Sequence, residues 1–245
     1  MDTDQVTTLN QPIHEALEEK IDAGIDDFKK SSIFDLWNPM NTFSRITQFF
    51  AWFSILAISR PFFEIEVRNR DNLKGVRAPA ILISNHIRFY DSFLYRIAVG
   101  LWSPLAPLRF MGVKKFRDPF LNFLAKIGAV QIIYFLMGVL TVVTGQGVSK
   151  NLENPKKALR GGAVIAMFPE GRMYYDDTIG PFKWGAAILA EETDAPLIPF
   201  AMKKHGRKVI INVGKAFCID KTKGPTENTE IIRDVVVGLF NGIEV

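Results

Sequence analysis

The segment Asn85-His86-Ile87-Arg88-Phe89-Tyr90-Asp91 sets a histidine and an aspartate five positions apart, just past the apolar run Ile81-Leu82-Ile83. Imidazole takes up and returns a proton near neutral pH, and a carboxylate that accepts its Nδ1–H fixes the tautomer in which Nε2 is the base. Such a pair can deprotonate an alcohol. Asp91 has a second available duty, as the N-cap of a following helix, and an H-x4-D spacing alone has little specificity. A second polar group, Pro169-Glu170-Gly171-Arg172, follows another apolar run that ends at Phe168. No serine or cysteine stands in the setting of an activated nucleophile, so direct transfer to an acceptor fits better than a covalent enzyme intermediate. With one cysteine, Cys218, the chain cannot form an internal disulfide, which fits a reducing compartment. Three histidines and no Cys/His cluster argue against a zinc site.

Positioning these groups requires strands that end beside one another. Residues 80–83 read as a short buried strand and residues 92–99 as the helix after it, so His86 and Asp91 fall on a strand-to-helix turn. In doubly wound α/β sheets ligands bind at the carboxyl ends of strands. Residues 162–168 give a second buried strand that carries Glu170 and Arg172 into a loop. Residues 63–67 alternate as a half-exposed strand, residues 108–113 and 209–213 read as further strands, and Asp118-Pro119 opens a helix with proline in its first turn. A basic turn, Lys203-Lys204-His205-Gly206-Arg207-Lys208, precedes the strand at 209–213, and residues 226–241 form a helix with one apolar face. The fold class expected is α/β: a single domain over residues 62–245, with a mixed sheet of about seven strands flanked by helices. Residues 1–61 are expected to form an N-terminal helical region that docks on a membrane.

Charge and hydropathy support that division. Residues 1–35 hold nine acids against three bases, while the whole chain has a net charge of +4, so the body is basic. A basic body suits an anionic membrane surface or phosphorylated substrates, and the absence of a binding motif or a Lys/Arg-rich run argues against nucleic acid. Apolar residues recur at helical spacing through residues 12–30, an acidic helix expected to pack on its own chain. Residues 46–59 carry no charge and are rich in aromatics, but they fall short of the roughly 20 needed to span a bilayer, which points to an interfacial helix. Residues 127–149 are also uncharged. Gly138, Gly145 and Gly147 interrupt them, so the expectation is an apolar helix from Tyr134 to Val143 that either lines an acyl groove or dips into one leaflet.

The two polar groups together resemble the glycerolipid acyltransferase family, the lysophosphatidic acid acyltransferases and their relatives. Asn85-His86 to Asp91 matches that family's first motif, Asn-His-x4-Asp, and Phe168-Pro169-Glu170-Gly171 its third, Phe-Pro-Glu-Gly. Phe182-Lys183-Trp184-Gly185-Ala186-Ala187 is similar to the helix after the third motif, and Ala195-Pro196-Leu197-Ile198-Pro199-Phe200 to the fourth. The resemblance covers roughly residues 62–217. It implies acyl transfer from acyl-CoA or acyl-carrier protein, as co-substrate with no cofactor, to a lysophospholipid hydroxyl at the cytoplasmic face of a membrane. His86 would be the base and Asp91 its orienting partner, with Asn85, Arg88, Lys114, Glu170, Gly171 and Arg172 holding the acceptor. The family's second motif, Gly-x5-Arg, supplies an arginine for the acceptor's phosphate. Its expected match is a strand at Gly128-Ala129-Val130-Gln131-Ile132-Ile133-Tyr134, where the arginine is missing. Arg88 and Arg172 are the replacements at hand. A different lysolipid or aminolipid acceptor, or a membrane-binding relative without turnover, are the alternatives.

Overall fold

The computed structural model describes residues 39–59, 63–88, 90–100, 102–113, 119–143, 145, 147–175 and 178–244. By contact density the chain divides into Met1–Phe43 and Ser44–Val245, and nearly all described residues belong to the second unit. Lys114 and the acidic helix expected over residues 12–30 lie outside the described residues, as does most of the N-terminal docking region.

Seven strands form one mixed sheet, the expected class and size, in the order β1-β7-β6-β2-β5-β3-β4. They are β1 (Glu64–Arg68), β2 (Ala80–Ser84), β3 (Leu108–Val113), β4 (Leu140–Val142), β5 (Val164–Met167), β6 (Leu197–His205) and β7 (Lys208–Val213). The five strands β6, β2, β5, β3 and β4 run parallel to their neighbours, and β7 turns back antiparallel to β6. Central strands of a parallel sheet are covered on both faces, which is why β2 and β5 read as unbroken apolar runs. Ala80 and Leu82 face one core with Val164 and Ala166, whereas Ile81 and Ile83 face the other with Ile165 and Met167. Helix α2 (Asp91–Val99) covers the first face. Helices α5 (Val148–Arg160), α6 (Gly185–Thr193) and α7 (Pro225–Asn241) cover the second. Strand β1 lies at the sheet edge, where Glu66 pairs with Arg68 at 2.5 Å and Lys208 at 2.8 Å, charges that discourage further strand pairing.

Helix α1 (Pro39–Ser59) is bonded into the body from Ser44 onward. The Gln48 amide donates to the Leu108 carbonyl at 2.6 Å and accepts from the Leu108 N–H at 3.0 Å, so a buried glutamine completes the start of β3. The compact unit therefore begins at Ser44, ahead of the boundary drawn after residue 61. Among the described residues no helix is long and apolar enough to cross a membrane.

One expectation is overturned. Residues 128–134 are not a strand: after α3 (Pro119–Lys126), Gly128 precedes and residues 129–134 belong to α4 (Ala129–Met137). The expected helix from Tyr134 to Val143 likewise ends at Met137. Gly128 and Gly138 both take left-handed backbone, at φ +82° and +66°, and bracket the helix. Gly138 and Val139 return their N–H groups to Phe135 and Tyr134, a glycine C-terminal cap, and release Leu140-Thr141-Val142, two of the three β-branched, to pair with β3. A run that is apolar all round has no period by which helix and strand can be told apart.

Candidate active site

Strand β2 ends at Ser84 and the chain crosses to α2 in six residues, a loop folded around one carboxylate oxygen. Asp91 Oδ2 accepts from His86 Nδ1 at 2.9 Å, from the Ile87 N–H at 2.6 Å and from the Arg88 N–H at 2.7 Å. Asp91 is wholly buried. These donors precede the aspartate, whereas an N-cap bonds N–H groups that follow it, so the orienting duty replaces the capping one. Four intervening residues are what the loop needs to bring three donors onto one oxygen. With Nδ1–H committed to Asp91, Nε2 is the basic nitrogen. The imidazole lies flat on Phe168 at 4.0 Å between centroids and 11° between planes, which fixes its second rotation.

The third motif reaches the same spot from the next strand. β5 pairs with β2, and the turn after it, closed by Gly171 N–H to the Phe168 carbonyl, puts Glu170 beneath the histidine. Glu170 is 3% exposed and accepts the backbone N–H of His86 through Oε2 at 3.3 Å. Its Oε1 is buried without a hydrogen-bond partner, as is Asp91 Oδ1. Burial pushes the Glu170 carboxyl up to about 7, against the pull of the His86 and Gly180 N–H groups. Gly171 takes φ +65°, and the space a Cβ would need is filled by the Lys183 side chain.

Arginines 88 and 172 both stand at this edge. The Arg172 guanidinium lies over the Tyr174 ring at 4.5 Å, and that of Arg88 over Tyr175 at 4.9 Å. Tyr174 also donates its N–H to the His86 carbonyl at 2.8 Å, which ties the third-motif loop to the first. Arg233 of α7 secures this loop from behind, donating to the carbonyls of Ile179 and Gly180 at 3.0 Å each. Gly180 is a tight fit, since a Cβ there would lie 2.1 Å from the Tyr174 ring. Tyr174, Tyr175, Lys183 and Arg233 carry no signal as site residues in the sequence beyond, for Lys183, its place in a matched block.

Asn85 is corrected. Rather than meeting a substrate, it is wholly buried, donating to the Met202 carbonyl at 2.9 Å and accepting the Met202 N–H at 2.8 Å. Both ends of its amide are spent on splinting the β2 loop to β6. The second-motif match expected at Gly128 to Tyr134 lacks the arginine, and its residues from Ala129 lie in α4. Arg109 packs against Gly138, but at the opposite end of the parallel strands from His86. Among the described residues no cluster of His, Cys, Asp or Glu is arranged to hold a metal ion.

Comparison with known proteins gives the same outline. Residues 64–203, more than half of the chain, match the family model named Acyltransferase. A chloroplastic 1-acyl-sn-glycerol-3-phosphate acyltransferase of Arabidopsis thaliana is 27% identical over 154 residues, 60% of this chain and 38% of its own length. A counterpart of the same name from Brassica napus is 25% identical over 154 residues, 60% of this chain and 39% of its length. The chain thus spans about two fifths of the length of these relatives. The crystal structure of the 1-acyl-sn-glycerophosphate acyltransferase PlsC from Thermotoga maritima superposes with a TM-score of 0.57 at 18% identity, over 81% of this chain and 82% of that one, and so shares the fold. The matched residues include the whole His86 to Asp91 loop and the turn bearing Glu170, and on that match the chain belongs to the acyltransferase family.

Proposed function

We propose that this protein transfers a fatty acyl group from a thioester, acyl-CoA or acyl-carrier protein, to the free hydroxyl of a lysophospholipid at the cytoplasmic face of a membrane. The acceptor proposed first is 1-acyl-glycerol-3-phosphate, the substrate class in the names of the relatives. The observation that carries the reading is the 2.9 Å contact between His86 Nδ1 and the fully buried Asp91. His86 Nε2 takes the acceptor hydroxyl's proton as its oxygen attacks the thioester carbonyl, and Asp91 stabilises the imidazolium. Collapse of the tetrahedral intermediate breaks the C–S bond, and the imidazolium returns the proton to the leaving thiolate. Arg88, Arg172 and Lys114 supply positive charge for the acceptor's head, with Glu170 and Gly171 shaping the turn beside it.

One observation favours a second reading. With the second-motif arginine missing from Gly128 to Tyr134, an acceptor without a terminal phosphate, a different lysolipid or an aminolipid, fits the departure. Thiol release from a labelled acyl-CoA, measured against a panel of lysolipids for the parent chain and for His86→Ala, separates the two. Turnover best with lysophosphatidic acid and lost in the variant supports the first. Turnover only with acceptors lacking a terminal phosphate supports the second. Free fatty acid released with donor alone would replace transfer by hydrolysis, and lipid binding with no thiol release on any acceptor would overturn catalysis altogether.

A further inference from the structure

We propose that the α3–α4 hairpin is the surface by which this protein sits on a membrane, its apolar side chains entering one leaflet of a bilayer that contains anionic lipid. The inference rests on the reading above, that the acceptor is a lipid, and it names the face that meets the lipid.

Phe123, Ile127, Ile132 and Ile133, all on the hairpin, are 53% to 61% exposed. Val130 is the only residue that α4 buries among its nine. A surface helix normally turns an apolar stripe inward and a polar face outward. Here the outward face is the apolar one, and contiguous exposed apolar surface of this kind marks a contact site. The face continues onto α1: Thr47 Oγ1 donates to the Leu136 carbonyl at 2.5 Å and Gln48 Nε2 to the Met137 carbonyl at 3.0 Å, so α1 is fastened to the end of α4. Phe50 on α1 is exposed, and Trp102, 87% exposed, has its ring 6.3 Å from that of Phe49. Tryptophan and phenylalanine beside an apolar helix suit the headgroup boundary.

Charge selects the occupant. Residues 44–59, 102–113 and 119–149 contain no aspartate or glutamate, while the exposed Arg45 and Lys126 lie within them and Lys150 follows directly. An apolar face free of acids and edged by cations complements anionic lipid. Nine residues of helix rise only about 14 Å, so α4 reaches into one leaflet and does not cross. The hairpin leaves β3 at the carboxyl end of the parallel strands, the same edge from which the His86 loop leaves β2. An acceptor held in the outer part of that leaflet can therefore offer its glycerol hydroxyl to His86 while its acyl chain stays among the lipids.

The test is flotation of the full chain with phosphatidylcholine vesicles made with and without phosphatidylglycerol, for the parent and for Ile132→Glu/Ile133→Glu. The parent is expected to float, more strongly with phosphatidylglycerol, and the variant to partition at least about tenfold more weakly. The variant's unfolding temperature and its thiol release with a monomeric short-chain lysolipid should match the parent's, since neither isoleucine belongs to the catalytic site. Equal flotation of parent and variant overturns the proposal, as does a parent that does not float. A parent that is dimeric, split to monomer by the variant with flotation unchanged, assigns the face to a second copy of this chain and also overturns it. Flotation as expected together with no thiol release on any acceptor would leave the surface standing and remove the catalytic reading instead.

Discussion

The His86 loop and the α3–α4 hairpin both leave the carboxyl edge of the same sheet, and they are built on opposite principles. In the loop most polar groups are assigned: Asp91 Oδ2 gathers three donors, Asn85 is spent on Met202, and Tyr174 and Glu170 take the backbone of His86, with Asp91 Oδ1 and Glu170 Oε1 left over. The hairpin has almost no polar side chains to assign, and two left-handed glycines, not side-chain bonds, set where its helix begins and ends. Chemistry demands fixed geometry, so the site is determined by hydrogen bonds that have few alternatives. A surface that meets lipid needs apolar area and tolerates variation in which residues provide it.

Removing the centre of the first region should have the largest effect of any single change. His86→Ala is expected to lower thiol release on the order of 10³-fold or more without loss of fold, because the base is deleted from a partly exposed position. Asp91→Asn should lower it less while leaving acceptor binding in place, since an amide oxygen can still accept the three donors at the Oδ2 position but carries no charge to stabilise the imidazolium. Circular dichroism and acceptor titration of both variants check this, and a His86→Ala protein that turns over normally would dissolve the contrast.

Asn85→Ala tests the same loop through stability. It leaves the N–H and carbonyl of Met202 without their side-chain partner in a buried strand, which costs about 2–4 kcal/mol. Urea unfolding should show that loss at unchanged m-value. A neutral outcome would return Asn85 to the list of substrate-contacting residues.

How far each region can be read from the sequence follows from the same difference. Strands β2 and β5 and the helix α2 are legible because buried parallel strands are short apolar runs and because the polar residues after them are spaced by the hydrogen bonds they must make. The pairing of His86 with Asp91 is legible for that reason. What Asn85 does is not, since the same amide suits a ligand or a backbone, and only the proximity of β6, 117 residues on, decides. Nor is α4 legible as a helix: Ala129 to Met137 is apolar on every side, and the information that ends it lies in the backbone freedom of Gly138. Arg233 lies beyond the matched residues 64–203, on a helix whose pattern reports only its buried face.

The two glycines sharpen the comparison within the hairpin. Gly138 takes φ +66° with Arg109 in the space of a Cβ, whereas Gly128 takes φ +82° with nothing near it. Gly138→Ala should therefore destabilise by about 2 kcal/mol, the backbone cost plus displacement of Arg109, and Gly128→Ala by about 1 kcal/mol from the backbone alone. Equal losses in thermal unfolding would mean that the packing against Arg109 contributes nothing.

Glu170 gives an effect with a definite sign in pH. Burial raises its folded carboxyl from an ordinary 4.5 to about 7. Below pH 4.5 the group is neutral in both states and its burial is unopposed. Between 4.5 and 7 the unfolded chain releases the proton while the folded one keeps it, so stability contributed by the neutral form is lost as pH rises. The parent should thus lose up to about 3 kcal/mol across that window relative to Glu170→Gln, whose amide does not titrate. Unfolding of both chains at several pH values reads the difference directly. Parallel pH profiles would show that water or a neighbouring donor already satisfies Oε1 and that the carboxyl is ionised throughout. Glu170 would then face the acceptor as an anion and repel a phosphate, a result that would also move the choice of acceptor toward lysolipids without one.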